Sequence, residues 1–296
     1  MNTITPPGVA AALPAHLSYQ AGPDELQGRV IAITGAGDGI GQAVALAAAA
    51  HGAELVLIGR SVGKLEAVHA RIAALNKAEA SIAPLDLERA VARDYDQLAD
   101  ALQRRYGRLD GLLHNAAILG VLSPIEQYDV PTWCRVLHVN LTAAFALTQV
   151  LLPLLRSAPD ASIVFTSSGA GRHAKAYWGA YTVSKFGVEA LMGILAEELE
   201  HAGTPRVNAL NPGPVRTRLR RQAFPAEDIT RLVAPEDIVQ PYLWLLGPAS
   251  RGVNGQSLDC QAKRGLPPLR AHASDCARAC AAARACRRAC AACAPA

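Results

Sequence analysis

"RVIAITGAGDGIGQAVALAAAA", residues 29–50, is the stretch on which the fold turns. It opens on a short run rich in apolar side chains, is cut by glycines at 35, 37, 39 and 41, and resumes as alanine-rich sequence. An apolar run, a glycine cluster and a segment of helix formers read in that order as a buried strand, a tight turn and a helix. The spacing Gly35-x-x-x-Gly39-x-Gly41 suits a turn that admits a pyrophosphate close to the backbone. The helix N-terminus behind it offers free N–H groups and a positive dipole end. Thr34, Gly35, Gly37, Asp38, Gly39, Ile40 and Gly41 are therefore candidate dinucleotide-binding residues. The competing reading is a glycine-rich turn that holds nothing.

Outward from this unit the pattern repeats. Apolar runs at 29–34, 53–59, 80–86, 109–115, 161–167 and 205–211 look like strands buried on both faces, as in a parallel sheet. Between them, segments 40–51, 61–76, 90–106, 130–156 and 178–201 carry helical spacing, and a helix at 235–247 with a short strand at 255–259 completes the series. Strand and helix in alternation predict one α/β domain, a single doubly wound parallel sheet with helices on both faces. Its expected limits are 28–262. Residues 1–27, rich in Pro, Ala and Gly, read as a mobile or loosely docked arm, and 263–296 as a low-complexity Ala/Arg/Cys tail.

The formal charge of +4 is uneven: from Cys260 onward there are seven basic residues and one acid, leaving residues 1–259 slightly acidic. That balance gives no sign of a nucleic-acid partner. Six of the seven cysteines lie at or after Cys260, so the body has no disulfide framework and reads as a protein of a reducing compartment. The first basic residue is Arg29, which leaves no charged n-region of a secretory signal, and the longest apolar stretches are interrupted by polar residues. A cytoplasmic protein without a membrane partner is the expectation.

At the end of the second strand, "LVLIGRS" (55–61) places Gly59 where an acid would accept the ribose hydroxyls of NAD, and Arg60 follows. Arg60 suits a 2′-phosphate, whereas Asp38 in the glycine loop opposes it. NADP(H) is favoured and NAD(H) stays possible; a solvated surface arginine is the bland alternative. In "GAYTVSKFG" (179–187), Tyr181 and Lys185 lie four apart and share one face of a helix. Either both tips reach water, or the ammonium tunes the phenol for proton transfer.

Together "TGAGDGIG", "LHNAA", "HVN", "TSS", "YTVSK" and "NPGPVRT" make the chain resemble the short-chain dehydrogenase/reductase family over roughly residues 28–260. The wording "LDGLLHNAA", "QVLLPLL", "WGAYTVSKF" and "YLWLLG" resembles its bacterial YciK-type oxidoreductases. The resemblance implies a Rossmann fold and hydride transfer between a nicotinamide and a small-molecule carbonyl or alcohol. It makes Tyr181 the general acid/base, Lys185 its partner, Ser168 the residue that orients the substrate oxygen, and Asn140 a helix-kinking asparagine in a proton relay. It rejects Ser167, one residue short of the family spacing. It adds Asp86, Leu87, Asn115, Ala116, Pro212, Gly213, Val215 and Thr217 to the cofactor contacts, and it requires no metal. A tyrosine titrates near 10, so lowering it by about two units needs roughly 2.7 kcal/mol, which Lys185 and an oxidised nicotinamide ring are expected to supply.

The family's usual Asn-Asn-Ala-Gly reads His114-Asn115-Ala116-Ala117 here, and a β-carbon at 117 is expected to crowd the backbone. In the following lid, 218–235, Arg218, Arg220 and Arg221 suggest an anionic substrate, or else a solvated lid or intersubunit ion pairs. The helices at 130–156 and 178–201 resemble those through which the family forms homodimers and homotetramers. Tail cysteines 276, 280, 286, 290 and 293 fit no established zinc pattern. The rival function is a dinucleotide-binding sensor on the same fold, without turnover.

Overall fold

The seven apolar runs form seven strands: β1 (Val30–Thr34), β2 (Glu54–Gly59), β3 (Ala80–Pro84), β4 (Gly111–His114), β5 (Ser162–Thr166), β6 (Arg206–Asn211) and β7 (Ser257–Asp259). The computed structural model describes residues 14–262 of the chain. All strand pairs are parallel, in the order β3-β2-β1-β4-β5-β6-β7. The order reverses between β1 and β4, where an open α/β sheet leaves a crevice at the carboxyl ends of its strands.

Side chains alternate between two cores. Ile31, Ile33, Leu55 and Leu57 face one side, packed with α2 (Gly39–Ala50), α3 (Val62–Ala73) and α9 (Val239–Leu246). Val30, Ala32, Val56 and Ile58 face the other, under α4 (Ala92–Tyr106), α6 (Ala143–Arg156) and α7 (Gly179–Glu198). Burial on both faces is why the strands read as unbroken apolar runs rather than as alternating ones.

Two expectations are corrected. Residues 14–27 are not loose: a short helix, α1 (Ala15–Ser18), sets His16 against Trp244, and Leu26 is fully buried in the first core. The segment Val130–Arg156 is, by length and composition, apolar enough to cross a bilayer, contrary to the reading above. Its apolar face is already used, however, since Leu147, Leu151 and Leu155 are fully buried in the second core. The part of the arm before residue 14 and the tail after 262, with its cysteines, lie outside the described residues.

At the amino ends of the strands, opposite the crevice, Asp160 receives Arg29 (3.3 Å), Arg206 (3.2 Å) and Arg251 (3.3 Å). Arg206 also donates to the carbonyls of Leu245, Gly247 and Ser250, so it caps the end of α9 while it pins β6 to β5. Removing the shared carboxylate leaves a buried guanidinium without its counter-charge. Asp160→Ala is expected to lower the unfolding free energy by about 3–5 kcal/mol, read from urea denaturation.

Candidate active site

β1 ends on Thr34, whose hydroxyl accepts the N–H groups of Asn115 (2.9 Å) and Ala116 (3.1 Å) and donates to the Leu113 carbonyl (3.3 Å). That hydroxyl ties the ends of β1 and β4 together beneath the crevice. The chain then turns through Gly35 at φ +67° and Gly39 at φ +55°, in the left-handed region that glycine tolerates. A β-carbon at Gly41 would lie 2.4 Å from the Gly35 carbonyl oxygen and 2.6 Å from the Asn115 amide, so only glycine lets α2 start this close to β1 and β4. Asp38 stands at the N-cap of α2 but makes no side-chain cap. Its carboxylate accepts from Lys64 (2.5 Å), which holds it below the usual carboxylate range. The first-turn N–H groups of α2 are thus left without a side-chain partner at the crevice, a cradle that fits a phosphate group.

The crevice is a cleft of about 700 Å³. Every cofactor and catalytic residue named from the sequence lines it, except Thr34, Gly41 and Asn140, which lie immediately behind its wall. Arg60 borders it, 3.6 Å from Glu88 with its side chain 61 % exposed; Glu88 in turn lies 3.8 Å from Arg135. The unfavourable charge of Asp38 is answered by Lys64, a residue the sequence argument passed over. Ala117 lines the same wall, so its methyl takes up room that glycine would leave open.

At the expected kink the helix changes its hydrogen-bond register. Between α5 (Val130–Leu137) and α6 the helix widens to a π turn over His138–Thr142, in which the Ala143 N–H reaches back to the His138 carbonyl. Single π turns recur at functional sites. Asn140, buried within it, accepts from the Ile118 N–H (2.8 Å) and donates to the Ile118 carbonyl (2.9 Å) and to Ser184 Oγ (3.0 Å). Its side chain fastens the loop after β4 to α7.

Tyr181, Lys185 and Ser168 come together, with Tyr181 and Lys185 buried on one face of α7 and Ser168 following β5. The lysine gives its hydrogen bond to the main chain and not to the phenol. Lys185 Nζ donates to the Thr166 carbonyl (2.7 Å) and lies 5.8 Å from the centre of the Tyr181 ring. Burial pushes the phenol up to about 12, with Ser168 drawing it part of the way back. Burial likewise pushes the ammonium down to about 8, opposed by the charge of Glu189. Beneath them His114 stacks on Phe165 (4.7 Å between ring centres) and bonds Thr148 Oγ1 (2.8 Å). Burial and the nearby Lys185 push that imidazole down to about 3.

Sequence reasoning missed Glu189, which accepts from both Ser167 and Ser257 (2.9 Å to the latter) and stands 3.7 Å from Arg172. The rejected Ser167 therefore has a task, holding the turn that carries Ser168. Glu189 follows Lys185 by four residues, the same spacing that singled out Tyr181, so the signal was available. Thr166 left none, because it acts through its backbone carbonyl.

Residues 29–228 match the family model for short chain dehydrogenases. The chain is 43% identical to the oxidoreductase YciK of Escherichia coli K12 over 248 residues, covering 84% of this chain and 98% of that one. A short chain dehydrogenase structure from Pseudomonas syringae is 50% identical with a TM-score of 0.81, over 82% of this chain and 98% of that one. Another, from E. coli CFT073 and complexed with NADPH, is 44% identical with a TM-score of 0.78, over 81% of this chain and 100% of that one.

The Lys185 ammonium, held at about 8 against an ordinary 10.5, binds its proton more weakly folded than unfolded, so it opposes folding fully below pH 8 and ceases to as pH nears 10.5. Lys185→Met is expected to raise the unfolding free energy by about 2 kcal/mol at pH 7, after allowing for the hydrogen bond lost at Thr166. The gain should shrink steadily in urea titrations repeated up to pH 10.

Proposed function

Because the chain belongs to the short-chain dehydrogenase family and is an oxidoreductase of it, we propose that it interconverts a carbonyl and an alcohol with NADP(H). The observation that carries this is the convergence of Ser168, Tyr181 and Lys185 on the same cleft as the uncapped start of α2. Bound there, the nicotinamide would supply or accept the hydride and, when oxidised, a positive charge. The glycine loop and α2 would hold the pyrophosphate. Asp86, Leu87, Asn115 and Ala116 would border the adenosine half, and Pro212, Gly213, Val215 and Thr217 the nicotinamide half.

Tyr181 holds the proton that moves to or from the substrate oxygen, and Ser168 orients that oxygen by hydrogen bonding. With its own surroundings raising it to about 12, the phenol holds its proton at neutral pH more firmly than free tyrosine does. To act as a base it needs positive charge beyond what the protein directs at it. Lys185 holds the far side of the site through Thr166. Both N–H groups of the Asn140 amide are spent, so a relay water would be held by its oxygen or by the main chain of the π turn.

NADP(H) is supported by Gly59 in place of an acid, by Arg60 and Lys64 beside it, and by the NADPH complex of the E. coli CFT073 relative. Phe145, Val183, Phe186 and Ile194 expose large apolar side chains on α6 and α7, which supports a homodimer or homotetramer joined through these helices. A reducing, cytoplasmic setting is proposed from the cysteine distribution.

Tyr181→Phe is expected to cut the turnover number about a thousandfold while NADPH affinity stays within about twofold. NADPH binding without turnover across aldehydes, ketones and quinones, indifferent to that change, would make the chain a dinucleotide sensor instead. Arg60→Ala should weaken NADPH binding about tenfold and leave NADH binding unchanged, as measured by fluorescence titration.

A further inference from the structure

Around Tyr181 the cleft changes character. Leu119, Ala170, Tyr181 and Ala223 form a small buried cluster distinct from the two sheet cores, with Trp178, Leu219 and Phe224 packed against it. Trp178 meets Tyr181 edge-on (5.7 Å between ring centres, 62°) and is backed by Phe224 at 5.6 Å. Leu119, Trp178, Leu219 and Ala223 line the cleft itself.

The lid arginine that packs on this cluster is already paired. In α8 (Arg218–Ala223), Arg220 gives two hydrogen bonds to Glu227 (2.6 and 2.5 Å) and lies 3.8 Å over the Phe224 ring. Arg221 is exposed and does not line the cleft. Arg218 and Arg220 both line it, Arg218 as an exposed residue. Lys175 sits 5.1 Å over the Trp178 ring without lining the cleft, and Arg172 is bound to Asp259 (2.6 Å) and Ser257. Of the cations that line this part of the cleft, Arg220 is paired with Glu227, Lys185 donates to the Thr166 carbonyl, and Arg218 is exposed.

We infer that the chamber takes an uncharged, predominantly apolar carbonyl compound lying against Trp178, and discriminates against compounds with a carboxylate or phosphate next to the carbonyl. This rests on the carbonyl–alcohol chemistry proposed above. An anion placed against Trp178 would leave water for aromatic and aliphatic walls. An apolar ring would instead complete an aromatic cluster that already exists around the phenol. The lid arginines then serve to close α8 through the Arg220–Glu227 pair rather than to recognise substrate.

Matched ketones test this: acetophenone against benzoylformate, and cyclohexanone against pyruvate, with NADPH oxidation as one readout. The uncharged member of each pair is expected to have at least a hundredfold higher kcat/KM, and Trp178→Ala to lower that value at least tenfold with NADPH affinity within twofold. A second readout needs no turnover. With saturating NADP+, acetophenone should quench tryptophan emission, benzoylformate should not, and the quench should vanish in Trp178→Phe. Quenching by acetophenone with no oxidation of NADPH by any of the four would uphold the chamber and refute the proposed reaction. Equal or better use of the carboxylates, or failure of both uncharged ketones to bind, overturns the inference.

Discussion

The hydrogen bond from Lys185 Nζ to the Thr166 carbonyl, 2.7 Å long and buried, joins the helix of the reactive side chains to the last residue of β5. An ammonium taken out of water must be compensated or lose its proton. Here both happen in part: a carbonyl and the charge of Glu189 support it, while burial brings it down to about 8. The charge states around it follow. His114 stays neutral in its stack with Phe165, and the Tyr181 phenol stays protonated. The site is therefore a store of protons in an apolar enclosure, with one side open to a nucleotide cleft.

That arrangement redistributes roles that a sequence motif assigns to pairs. Lys185 spends its hydrogen bond on the Thr166 carbonyl, with its ammonium 5.8 Å from the centre of the Tyr181 ring, and so anchors α7 to β5. Asn140 clamps the loop after β4 to Ser184 from within the widened helix. Ser168 owes its place to Ser167 and Glu189, whose bonds to Ser257 and Arg172 tie the turn to β7. The reactive groups are few, and each is held by a neighbour that the motif does not mention.

The sheet was legible because its strands are buried on both faces: such runs stand out whatever their partners, and each lay within two or three residues of its place. The glycine loop was legible for a related reason, since a β-carbon at Gly41 has nowhere to go. The π turn was hidden because one extra residue in a wide turn leaves the apolar pattern of 130–156 almost unchanged. The lysine's true partner was hidden because a backbone carbonyl has no residue identity, and the Asp38–Lys64 pair because its members come from different βα units. The docking of residues 14–27 depended on single side chains, His16 and Leu26, too sparse to make a period.

The central claim is that this protein's own groups hold the Tyr181 phenol protonated and that only a bound oxidised cofactor makes it acidic. Site-resolved NMR titration of ring-labelled tyrosine, assigned with Tyr181→Phe, measures it directly. Alone, the phenol should titrate well above 10, as burial dictates, and saturating NADP+ should lower it by about two units. A midpoint below that of free tyrosine without cofactor, or one that NADP+ does not move, would contradict the account.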